Sequence, residues 1–245
     1  MPPLPNAALI ASGILAVAAA VLGHRLPGPD GRSVPRSHRG TRVALSVPRR
    51  VELAGLATAG VRVFNGFLLL LLAFELHDTE VPLVDVGALL GAAGFGYAVA
   101  SRLVPALERR VREELMVVAA LALTASAAFA AAQWFGLAAA AALAAAAGIA
   151  WGAAKLAFDG LLQSCVPPGR RGAAFTRSET VFSIAWVLGA IVPTALPLPA
   201  SLGLIIVGFA ALAAQIVYVG ALLLPSTPAG PVRREHGPGV DGGAD

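Results

Sequence analysis

The chain has 245 residues, 57% of them apolar and 13% charged, with a formal net charge of +4. Soluble domains carry about 45–50% apolar and about 25% charged residues, so this composition excludes an ordinary water-soluble globule. The basic excess does not point to nucleic acid either, because the arginines lie in short connectors rather than across one face of a domain.

Seven apolar stretches follow one another along the chain. The first, at 6–23, has the length of a cleaved signal. Its leading segment MPPLPN lacks a positive charge, however, and arginines crowd its other end, so a retained helix is expected. Residues 24–52, rich in Gly, Pro, Ser and Arg and without periodicity, read as a linker. The remaining spans are expected at 53–76, 84–106, 115–132, 137–162, 176–196 and 201–224, each near the roughly 20 apolar residues a spanning helix needs. The Gly- and Pro-rich tail, 226–245, is expected to be disordered. The predicted fold class is an all-α membrane protein with seven transmembrane helices: a lead helix (1–23), a basic cytoplasmic linker (24–52), a six-helix bundle (53–225) and the tail.

Arginine assigns the sides. Segments 24–52, 107–114, 164–177 and 226–245 carry 7, 3, 3 and 2 arginines, whereas the alternating connectors 77–83, 133–136 and 197–200 carry no Lys or Arg. Basic residues near membrane ends stay cytoplasmic. The expected topology is therefore N-terminus outside and C-terminus inside, in the cytoplasmic membrane.

Small residues recur in the third span, where Gly87 and Gly91, and Ala92 and Gly96, lie four apart. The fifth span opens as an alanine tract, 138–147. Both patterns predict close helix packing.

Charge within the spans is the strongest functional signal, since a charge at the bilayer centre costs about 2.5–3.5 kcal/mol on insertion scales. The second span places Thr58, Arg62 and Asn65 on one helical face, with Arg62 ~14 Å along the helix from Leu53. The fifth carries Trp151, Lys155, Asp159 and Gln163 at four-residue spacing. The sixth carries Glu179, Ser183 and Trp186. Snorkelling and a local Lys155–Asp159 pair could account for the carboxylates, but deep cations ordinarily face a bundle interior or wet cavity. The phosphate-loop, dinucleotide and paired-His motifs of soluble enzymes are missing, and the one cysteine, Cys165, has no neighbouring ligands. Neither an enzyme, a cofactor nor a metal site is expected.

The segment KLAFDGLLQSCVPPGRRGAAFTRSETVFSIAWVLGAIVP, from Lys155 to Pro193, resembles the tenth and eleventh helices of major facilitator superfamily transporters. Arg170, Arg171 and Gly172 resemble that family's cytoplasmic loop motif, and Gly189 with Pro193 its helix-eleven kink. Arg102, Arg109 and Arg110 keep only the basic character of the family's other loop motif. By helix count, the second to seventh spans resemble helices seven to twelve, and the first resembles helix six. The resemblance implies a secondary transporter of an unknown small molecule, or its C-terminal half, working by alternating access. Its pathway would be lined by Arg62, Asn65, Lys155, Asp159 and Glu179. It also implies, besides the lipid bilayer, a partner half: a separate chain, a second copy, or sequence missing upstream, with no role for nucleic acid. The alternative is a non-transporting membrane scaffold that retains the half-fold.

Overall fold

The computed structural model describes residues 48–78, 82–134, 136–196 and 198–224. Six helices account for nearly all of them: α1 (Arg49–Asp78), α2 (Leu83–Leu107), α3 (Glu113–Gln133), α4 (Leu137–Cys165), α5 (Pro168–Ala195) and α6 (Ala200–Leu223). All six are long and apolar enough to cross a membrane, and among the described residues there are no strands. They correspond to the second through seventh predicted spans. The lead helix, most of the linker and the tail lie outside the described residues, so six helices of spanning length and composition are described rather than seven.

Two boundaries differ from expectation. The helix predicted from 53 begins at Arg49, so the last residues assigned to the linker are helical. The helix predicted from 176 begins at Pro168, leaving only Val166 and Pro167 between α4 and α5. The cause is the same in both places. An apolar run marks only the membrane-buried part of a helix, whereas arginine is a good helix former, and proline suits a first helical turn whose N–H would be unpaired anyway. The helices therefore continue past the apolar run into the basic segments.

The helix pairings have a twofold pattern. α2 packs most extensively on α4 and α1 on α5; α3 packs on α4 and α6 on α1; α3 faces α6, and α1 crosses α4. Exchanging α1–α3 for α4–α6 maps these pairings onto themselves. Glycines hold the two tightest pairs together. A Cβ on Gly66 of α1 would collide with the Trp186 carbonyl of α5, and one on Gly189 with the Val63 carbonyl of α1. Gly96 of α2 and Gly148 of α4 stand in the same relation to the Ala145 and Ala93 carbonyls. Such contacts bring helix backbones together where no hydrophobic effect drives association. Packing thus explains Gly96, but not Gly87 and Gly91, which have open space where a side chain would be.

Three apolar clusters fill the bundle. One lies towards the arginine-free end, around Leu68, Leu72, Leu143 and Leu204; one is central, around Val61, Leu121, Ala150 and Ala154; the third joins α1, α4 and α5 around Phe158 and Phe182. The third cluster supports the polar residues described next.

Candidate functional site

α1 and α4 cross antiparallel, and the polar face of α1 lies along the crossing. Thr58 Oγ1 donates to the Ala154 carbonyl at 3.4 Å, and Asn65 Nδ2 to the Ala147 carbonyl at 3.5 Å. Between them the Arg62 guanidinium lies over the Trp151 ring, 4.3 Å from its centroid. Three residues one turn apart on α1 thus meet three residues one turn apart on α4. With α1 beginning at Arg49, Arg62 stands ~20 Å along its helix, deeper than the sequence-based boundary implied.

One turn beyond Trp151, Lys155 is held by two carboxylates from different helices. Its Nζ donates to Asp159 Oδ1 at 2.7 Å on α4, and to Glu179 Oε1 at 2.7 Å on α5. The side chains of Lys155 and Asp159 are 13% and 20% exposed, but that of Glu179 is 52% exposed. The cluster therefore opens on the α5 side. An aromatic brace keeps α4 and α5 in register: buried Phe182 is edge-on to both Trp151 (5.8 Å) and Phe158 (5.3 Å). Such pairs contribute roughly 0.5–1.5 kcal/mol each beyond their burial.

The structure thus gathers Arg62, Asn65, Lys155, Asp159 and Glu179 on the facing sides of three helices. The formal charges of the four ionisable members cancel. Gln163, the last residue of the predicted α4 stripe, is exposed and stands apart. The periodicity of the sequence brought out the Lys155–Asp159 pair. The third partner, Glu179, and the Arg62–Trp151 stack depend on how helices dock, which spacing along one helix does not encode.

The remaining candidates occupy the end of the bundle where α1 and α5 begin. Arg102, Arg109, Arg110 and Arg170 are exposed, as is Gly172. Arg171 Nε donates to the Val166 carbonyl at 3.0 Å, closing the end of α4. Two arginines of the predicted linker also join helix ends: Arg49 donates to the carbonyls of Ala221 in α6 and of Leu224, which caps it, each at 3.2 Å, and Arg50 Nη2 lies 3.1 Å from Cys165 Sγ. Carbonyls left unpaired at a helix C-terminus, with its partial negative charge, favour such cations. A signal for these contacts was present in the Arg49–Arg50 pair, though not their targets. Among the described residues no group of His, Cys, Asp and Glu could hold a metal ion.

Six apolar helices joined by short connectors, with ion pairs inside the bundle, define a multi-pass membrane protein. The family model of the Major Facilitator Superfamily matches residues 5–190, and the chain belongs to that family of membrane transporters. No curated protein matches the chain at a significant level.

Proposed function

We propose that the protein moves a small molecule across the cytoplasmic membrane by alternating access, as the C-terminal half of a major facilitator fold. In this reading α1–α6 are helices seven to twelve of that fold. The N-terminus is outside and the C-terminus cytoplasmic. Arg62, Asn65, Lys155, Asp159 and Glu179 line the pathway, and the arginines at the end of α2 (Arg102), in the α2–α3 connector (Arg109, Arg110) and in the first turns of α5 (Arg170, Arg171) mark the cytoplasmic end.

One observation carries this reading: Lys155 is held by carboxylates of two helices, and the outer carboxylate, Glu179, is half open. Lipid cannot satisfy such a group, so the face that bears it needs water or a covering partner. A central cavity between two halves supplies both, and a second half, on this chain's partner or on a longer chain, completes the path. Rocking of the halves would then expose the cluster to each side in turn.

The test is uptake in proteoliposomes that hold the complete assembly. Solute accumulation should fall at least tenfold in Lys155→Met and in Asp159→Asn. Uptake unchanged in both variants, with normal reconstitution, would remove these residues from the pathway.

A further inference from the structure

The two cations of the polar layer are engaged differently. The Lys155 ammonium is occupied by Asp159 and Glu179. Arg62 has no hydrogen bond among the described residues, and its Nε is buried without a partner. Glu179 acts on it through space only. The Trp151 ring beneath it meets the charge but accepts none of the guanidinium's in-plane N–H bonds. What is left is a donor fork, which matches a carboxylate in bidentate geometry.

A second observation extends the site. Asn65, one turn outward on the same face of α1, borders a cavity of about 260 Å³ between α1, α2 and α4. Its other walls are apolar and include Leu68, Leu69, Val86, Leu89 and Leu143. The Asn65 bond to Ala147, at 3.5 Å, is at the weak limit, so the amide can turn towards a ligand.

We propose that Arg62 and this cavity form the binding site for a small, water-borne organic acid with an apolar body. The carboxylate lies on the Arg62 fork and the body beyond Asn65. This rests on the pathway reading above and names the substrate class of that site. The four ionisable residues sum to no net charge, so a monocarboxylate adds one charge to the layer and a dicarboxylate two. Uncompensated charge at membrane depth is costly, which selects the monoanion.

The purified protein, in the assembly it forms in detergent, can be titrated with hexanoate and its isosteres hexanamide and hexylamine. Trp151 fluorescence is read after Trp134→Phe and Trp186→Phe, and the melting temperature is read on the unsubstituted chain, which requires no variant to fold. Hexanoate should saturate the fluorescence change and raise the melting temperature. Hexanamide, hexylamine and the dianion adipate should bind at least tenfold more weakly. Arg62→Gln should weaken hexanoate at least tenfold, with Arg62→Lys between it and the parent. Equal binding of hexanamide, or full affinity in Arg62→Gln, overturns the proposal. So does an affinity that keeps rising through dodecanoate, which would indicate a fatty acid drawn from the bilayer. Failure of the pathway reading registers elsewhere, in uptake that ignores Lys155 and Asp159.

Discussion

Lys155 serves two carboxylates, so the three single substitutions of the cluster strand different groups. Lys155→Met leaves Asp159 and Glu179 facing each other without a cation and is the most damaging, at about 3–5 kcal/mol by analogy with broken buried pairs. Asp159→Leu leaves the ammonium with Glu179 and costs less. Glu179→Gln, at a half-exposed side chain, costs least. Melting temperatures of the three variants in one detergent should fall in that order. The double variant Lys155→Met/Asp159→Leu should melt above Lys155→Met alone. A sequence reading reaches Lys155 and Asp159 because they share one helix at a four-residue spacing. It reaches Glu179 only as a charge needing a reason, because its partner lies on another helix.

At the scale of helices, the glycines divide by what faces them. Gly148→Val places atoms against the Ala93 carbonyl, and Gly189→Val against that of Val63. Each should destabilise the fold by about 1–3 kcal/mol, the range for overpacked sites. Gly87→Ala and Gly91→Ala meet open space on α2 and should leave the melting temperature of the isolated chain unchanged. Circular dichroism melts compare the two groups directly, and equal losses in both would contradict the packing described here. Helix existence was legible because runs of about 20 apolar residues have few other meanings. Helix starts were not, because Arg49 and Pro168 extend their helices with residues that look like linker. Nor could spacing separate Gly96, which packs, from Gly91, which does not; that depends on which face meets α4.

For the molecule as a whole, charge is segregated by end. Among the described residues, Arg49, Arg50, Arg109, Arg110, Arg112, Arg170 and Arg171 all lie at one end of the bundle, and the connectors at the other end have neither Lys nor Arg. A reporter fused after Asp245 should be active only in its cytoplasmic form, and one after Trp134 only in its external form. The opposite pair of results reverses the topology. Side faces carry a separate expectation. α2 exposes Leu90 and Phe95, and α5, which carries the half-open Glu179, exposes Ile184 and Leu188. The proposed covering half should protect a cysteine placed at Gly91 or Ile184 from a water-soluble maleimide, and dissociation of the assembly should restore labelling.

The Lys155–Asp159 bond lies within a single helix, and that bears on biogenesis. Helices enter the bilayer in the order of synthesis, so α4 inserts before Glu179 on α5 has emerged. A lysine that had to wait for that partner would meet lipid as a bare ammonium. With Asp159 one turn away, α4 carries its own counter-ion through the translocon, and Glu179 joins a pair already formed. Arg62 has no such companion on α1, and its ring partner arrives three helices later. If insertion has a slow step, it belongs to α1, and a glycosylation-scanning comparison of the two isolated helices should find α4 inserting more efficiently despite carrying two charges to α1's one at that depth.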